Sequence, residues 1–319
     1  MKYHCHLFAV LFLSALTPVF AQKQTTLAQR LGYTDDAKLL IIHADDLAVA
    51  HSEDAASFTA MEKGSVSSAS VMVPCPWMPE VAAYARKHPN HDLGLHLTFT
   101  SEWNPYKWGP VAPRGEVSSL VDSLGYFYNN CEDFAKKAKT EEVEKELRAQ
   151  VEKAIAMGLN PTHLDSHMGC LLFQKLAYFK IYLDVARSYG IPAMVSKDLL
   201  AGVDSLKYAI TDKDIVIDHI LMASPDDYQK GMKNFYSNTI KSLTAGVNLI
   251  IIHAAGDDQE MEGMTGDYAI YPNFCAPWRQ ADFDFFTSPE CSQLLKENNV
   301  KVITWREVGK LLKEPSGKK

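Results

Sequence analysis

The sequence is poor in the features that mark several classes of protein. It has 32 basic against 39 acidic residues, a net charge of -7, and no Lys/Arg cluster beyond the terminal Gly317-Lys318-Lys319. A phosphate backbone needs a concentrated positive surface, so no nucleic-acid partner is expected. None of the six cysteines forms a CxxC pair, which removes thiolate zinc sites and thioredoxin-like chemistry. No GxGxxG or Walker-type glycine loop follows the first apolar strand, which argues against nucleotide binding. No apolar run approaches the roughly 20 residues of a membrane helix, so stable membrane insertion is not expected. Internal repeats, low-complexity tracts and long linkers are absent too.

What is present begins with a leader. Lys2 supplies a positive start, Leu7 to Leu16 an apolar run, and Val19-Phe20-Ala21 small residues at the −3 and −1 positions. This reads as a cleavable signal peptide over 1–21, with cleavage after Ala21 and an exported, periplasmic or secreted product; an uncleaved anchor is the alternative. Cys5 leaves with it, and an odd set remains: Cys75, Cys131, Cys170, Cys275 and Cys291. At least one thiol should then be free or paired between chains, with room for a disulfide among the rest.

The remainder, 22–319, reads as one domain, and its 47% hydrophobic content can fill a large core. Apolar runs at Leu39–His43, Val66–Val73, Leu93–Phe99, Pro161–His167, Val247–His253 and Val300–Thr304 predict strands. Helical spacing at Ser52–Lys63, Trp77–Lys87, Thr140–Ile155, Phe173–Ser188, Asp226–Leu243 and Ser288–Asn298 predicts helices between them. Alternation of this kind spells an α/β fold with a parallel sheet. Polar residues gather at the strand ends, which favours a closed or nearly closed (β/α) barrel over the runner-up, an open doubly wound sheet.

Those strand ends carry the chemistry. Asp45 and Asp46 follow the first strand, and His96 sits on the third. In Thr162-His163-Leu164-Asp165-Ser166-His167, strand alternation puts His163, Asp165 and His167 on one face. Buried acids and imidazoles are costly unless paired or bound to a cation. Asp46, His96 and one imidazole of the HxDxH row make a two-His-one-carboxylate set that leaves positions open for water and substrate. Trp103, Tyr106 and Trp108 lie in an irregular loop after the His96 strand, either as an apolar platform for a substrate ring or as packing for the loop. Arg114 and Arg279 could contact substrate or form surface ion pairs.

His43-Ala44-Asp45-Asp46, Gly94-Leu95-His96-Leu97, Pro161 to His167 and the strand-ending His253 resemble, in order and spacing, the YdjC-like carbohydrate deacetylases. The likeness runs from about Leu39 to Val308, including the closing Thr304-Trp305-Arg306-Glu307-Val308. It implies a distorted (β/α) TIM-like barrel and metal-assisted removal of N-acetyl groups from sugars or oligosaccharides. By motif it assigns Asp46, His96 and His167 to one divalent ion and Asp45 to the general base. His253 suits the general acid. Asp165 is better placed to orient a ligand imidazole than to bind metal, and His163 is either another such support or structural. Zinc or another transition metal suits such ligands, while the resemblance also allows magnesium. The chain departs from the family's usual DDFG at Asp45-Asp46-Leu47-Ala48 and from its HPG-like segment at His253-Ala254-Ala255-Gly256. Both stretches border the site, which puts substrate preference in question.

Two other classes compete. A glycoside hydrolase needs carboxyls flanking a glycosidic bond, and adjacent acids on one strand end are poorly spaced for that. A non-catalytic carbohydrate-binding protein would have no use for the ligand set. The sequence leaves open a homodimer, the sugar and its linkage.

Overall fold

The computed structural model describes residues 25–103, 106–265 and 275–312; the expected signal segment 1–21 lies outside them. Seven strands carry the fold: β1 (Lys38–Leu47), β2 (Ser68–Val71), β3 (Leu93–Leu97), β4 (Leu164–Ser166), β5 (His219–Met222), β6 (Gly246–Ile252) and β7 (Val300–Val302). They run parallel in the order β4-β3-β2-β1-β6-β5, with β7 against the start of β1. β1 is the spine of the sheet, paired with β6 from Lys38↔Gly246 to Ala44↔Ile252 and with β2 from His43↔Ser68.

The two edges of this sheet meet. Leu164 of β4 bridges in parallel to Ala193, and Ser196 bridges in parallel to Ile217, just before β5. The segment around 193–196 thus closes the ring, and the architecture is a distorted (β/α) barrel rather than an open sheet.

Alternation along β1 sorts side chains into two cores. Leu39 and Ile41 join Val247, Leu249, Met194, Ile217, Ile303 and Trp305 in a cluster at the strand starts. Leu40, Ile42 and Ala44 belong to the larger cluster that includes the helices. Burying each such large apolar side chain contributes about 1.5–3 kcal/mol, so this packing fixes which residues face inward at the strand ends.

Most predicted elements appear, with shifted limits. The helix after β1 spans His51–Lys63, and Ser52 does not cap it; its hydroxyl donates to Asp258 at 2.6 Å. The region expected as one helix over Asp226–Leu243 is two, Pro225–Lys230 and Met232–Ser242, broken at Gly231 with φ 100°. Strand character over Pro161–His167 shrinks to Leu164–Ser166. The helix Ala276–Thr287, which has only a weak amphipathic pattern, was not predicted. No helix among the described residues is long and apolar enough to cross a membrane. Among the described residues one disulfide, Cys131–Cys170, is formed, while Cys75, Cys275 and Cys291 are free.

Candidate metal and catalytic centre

In a regular strand Asp45 and Asp46 would point to opposite faces. The β1–β2 register shifts between Ala44 and Leu47, and Asp46 and Ala48 take φ of 70° and 76°. Left-handed backbone at non-glycine residues costs roughly 1–2 kcal/mol each, and here it brings both carboxyls to one cavity. Asp54 holds the turn, its Oδ1 accepting from Ala48 N at 2.6 Å.

Three side chains from separate parts of the barrel converge on that cavity. Asp46 Oδ1 stands 3.5 Å from His96 Nε2 and 3.5 Å from His167 Nδ1. All three residues are buried, and Asp46 Oδ1 has no hydrogen-bond partner among the described residues. An orphaned carboxylate oxygen inside a protein is expensive. Two ligands about 2.1 Å from a tetrahedral ion lie roughly 3.4 Å apart, so these residues have the chemistry and spacing to hold a cation. Two other acid and imidazole groupings, His43 with His163 and Asp165, and Asp45 with His96 and Asp165, are also compact. Their short contacts are already hydrogen bonds, such as His96 Nδ1 to Asp165 Oδ1 at 2.6 Å.

The second layer fixes each of the three. His96 gives its Nδ1 side to Asp165, leaving Nε2 free to face Asp46. His167 is turned the other way, with Nε2 at 2.9 Å from Glu102 Oε1. Glu102 was not singled out in the sequence; its adjacency to Trp103 in an irregular loop offers no periodic signal. Asp46 Oδ2 accepts from Arg279 Nη2 at 2.9 Å, and Arg279 Nη1 donates to Glu53 Oε2 at 2.7 Å. Arg279 is only 2% exposed, so the expectation of a surface ion pair is corrected: it is a buried link from Asp46 to Glu53.

Asp45 sits beside this trio. Its Oδ1 accepts from Ser70 Oγ at 3.1 Å and lies 2.8 Å from His43 Nε2. His43 also faces Asp165 Oδ2 at 2.9 Å and, through Nδ1, Ser68 Oγ at 3.0 Å. The Ser68 hydroxyl donates to Asp92, so it can only accept from His43. Nδ1 must therefore carry a proton, and Nε2, between two carboxylates, must carry one as well. Burial opposes a charged ring, yet Asp45 and Asp165 outweigh it and raise the His43 pKa to about 10. His43 is thus an imidazolium, which the sequence reading gave no role.

Electrostatics elsewhere in the site follow the same carboxyl-rich pattern. Burial opposes charge on His167, but Glu102 and Asp46 raise its pKa to about 10. His96 is also raised against burial, by Asp45 and Asp165. Burial would raise Asp46 and Asp165, yet Arg279 holds the first and His96 with His43 the second well below the usual carboxylate range. Glu53 behaves oppositely: burial dominates and pushes its carboxyl up to about 8, despite Arg279. His253 stands 4.0 Å from Asp46 Oδ2, and burial lowers its pKa to about 4, only partly offset by Asp46. Positive charge is what Asp45, Asp46, Glu102 and Asp165 together call for.

The remaining predicted residues separate. Trp103 lines the cavity, with the Arg279 guanidinium 5.3 Å from its ring centre. Trp108 is buried behind it, donating from Nε1 to Thr100 O at 2.8 Å, and is not among the residues lining the cavity. It packs the loop. Arg114 is exposed and donates to the carbonyls of Ser123 and its neighbours. His163 lies deeper, stacked on Trp305 with Nδ1 bonded to Thr162. The cavity itself is about 810 Å³.

The chain is similar to known proteins. Residues 39–297 match the family model described as YdjC-like protein. The chain is 30% identical, over 90% of its length and 99% of the relative, to a carbohydrate deacetylase of Thermus thermophilus. It is 28% identical, over 82% of its length and 95% of the relative, to a carbohydrate deacetylase of Enterococcus faecalis. A crystal structure from Enterococcus faecalis, described as a candidate cellobiose-phosphate cleavage protein, superposes with a TM-score of 0.71 at 25% identity, covering 85% of this chain and 99% of that one. Matched over most of its described barrel, the chain belongs to the YdjC-like family.

Proposed function

We propose that this protein is a metal-dependent carbohydrate deacetylase that hydrolyses the N-acetyl group of an amino sugar or oligosaccharide. The observation that carries the reading is the buried, unpartnered Asp46 Oδ1 facing His96 and His167. The relatives named carbohydrate deacetylase support the reaction class. One divalent ion, zinc by the ligand chemistry, would be held by Asp46, His96 and His167; once bound it would polarise the amide carbonyl and acidify water beside it.

The chain's own residues then handle protons. Asp45, steadied by Ser70 and His43, takes a proton from the water that attacks the carbonyl carbon. As the C–N bond breaks, the departing nitrogen needs a proton, and His253, 4.0 Å from Asp46 Oδ2, gives it. His253 rests neutral because burial lowers its pKa to about 4, so it takes up one proton from solvent before the C–N bond breaks, and Asp45 afterwards returns to solvent the proton it took from the water, which restores both groups. The Cys131–Cys170 disulfide supports an oxidising compartment, in line with export.

The test is acetate release from N,N′-diacetylchitobiose with metal analysis on the same sample. Asp45→Asn should keep the metal and lose roughly 10²–10⁴-fold in turnover, whereas His96→Ala or His167→Ala should lose the metal. Full turnover by chelated, metal-free protein would defeat the reading.

A further inference from the structure

The cavity has two unlike halves. One holds Asp45, Asp46, His96, Asp165, His167 and Arg279. Much of the remaining wall is built by Leu172, Phe173, Leu199, Val203, Ile220 and Met222. These come from the short helix Cys170–Phe173 that follows β4, from the short helix Lys197–Gly202 with the Val203 that follows it, and from β5.

A wall for a plain oligosaccharide would present free polar groups to successive rings of hydroxyls, because each hydroxyl stripped of water needs a partner. The polar side chains in this half are few, Ser166, Ser196 and Asp198, and each already takes part in one hydrogen bond. Ser196 Oγ accepts from Leu199 N at 3.1 Å, Ser166 Oγ accepts from Leu171 N at 3.1 Å, and Asp198 Oδ2 pairs with His219 Nδ1 at 2.8 Å. At the mouth the apolar side chains are open to water: Phe173 is 61% exposed, Met222 51% and Met168 50%. Large apolar side chains gathered at a cavity rim mark a site for an apolar ligand surface. The wall is continuous with the catalytic half, since Met168 follows His167 and Ile251 lies two residues before His253.

Resting on the deacetylase reading above, we infer that the substrate is amphiphilic: an N-acylated amino sugar carrying an aliphatic chain that lies along the Leu172–Phe173, Leu199–Val203 and Ile220–Met222 wall. The chain has two chemical sources, an alkyl aglycone or an acyl group longer than acetyl, and both present the same methylenes to this surface. Each methylene buried there favours binding by roughly fourfold.

The experiment compares four substrates with the metal-loaded enzyme, below any micelle concentration: methyl and octyl glycosides of N-acetylglucosamine, N-octanoylglucosamine, and N,N′-diacetylchitobiose, with the released amine as readout. A chain-bearing substrate should exceed both the methyl glycoside and the chitobiose by at least tenfold in kcat/KM. Which of the two wins identifies the position of the chain. Phe173→Ser and Met222→Ser, at exposed positions that endanger folding little, should each cut the octyl-to-methyl or octanoyl-to-acetyl ratio at least threefold. If the methyl glycoside or chitobiose is hydrolysed as well as the better of the two chain-bearing compounds, the inference falls and the deacetylase reading stands. If none of the four releases amine, both fall.

Discussion

Replacing His43 with Leu removes the ring that joins Asp45, Asp165 and Ser68. Those contacts, at 2.8, 2.9 and 3.0 Å, stabilise the imidazolium against its burial. Raising the pKa from 6.5 to about 10 corresponds to about 5 kcal/mol of folding stability. The variant also leaves Asp45 and Asp165 buried with one partner fewer, a loss that typically costs 3–5 kcal/mol. The two estimates agree, so His43→Leu should lose about 3–5 kcal/mol at pH 6. Because the folded pKa lies above the ordinary one, this stabilisation is fully present below about pH 6.5 and is lost as pH rises toward 10. The gap between wild type and variant should therefore narrow steadily from pH 6 to pH 10. Guanidinium unfolding at several pH values in chelator, with m-values compared, measures it. A gap that stays constant with pH, or a penalty under about 1 kcal/mol at pH 6, would refute the charged His43.

Four further outcomes follow from the same geometry. Glu102→Gln should weaken metal binding roughly 10–100-fold, because His167 loses the carboxylate that orients it; unchanged affinity in a metal titration would show that Glu102 plays no such part. Arg279→Gln should cost about 3–5 kcal/mol by leaving Asp46 short of its guanidinium, whereas Glu53→Gln should be mild near neutrality, since Glu53 is already protonated below about pH 8. Glu53→Gln should gain on wild type as pH climbs from 4.5 through 8, and calorimetry showing the reverse order would contradict the assignment. Removing the Cys131–Cys170 bridge, which closes a separation of 39 residues, should cost up to about 4 kcal/mol by chain-entropy arguments; equal melting with and without reductant would rule that out.

The parts of the site legible in the sequence are those that alternation governs. His96, Asp165 and His167 could be placed because each lies on or just after a strand whose apolar neighbours reveal its inward face. Asp46 was chosen for its partners, but alternation alone would have turned it away from Asp45; the bulge that redirects it leaves no mark in composition. Glu102, His43 and Glu53 were harder for separate reasons. Glu102 lies in a loop without period, and His43 needs the neighbours Ser68 and Ser70 before its charge makes sense. Glu53 looks like an ordinary acid in the first turn of a helix, yet is fully buried against Arg279. Arg279 itself sits on a helix too weakly amphipathic to predict. The ring closure at 193–196 was equally hidden, because two single bridges do not make a strand pattern.

That closure has a mechanical consequence. Along β1 and β6, seven successive residue pairs are in register. At 193–196 the barrel is fastened on one side by Leu164 N to Pro192 O and Met194 N to Leu164 O, and on the other by Ile217 N to Val195 O and Lys197 N to Ile217 O. Local opening begins where the fewest backbone bonds must break. The molecule thus has a seam, and it runs beside the apolar half of the cavity. Parting there would widen the berth for a bulky substrate while Asp46 and His96, borne by β1 and β3 deep in the paired sheet, kept their positions.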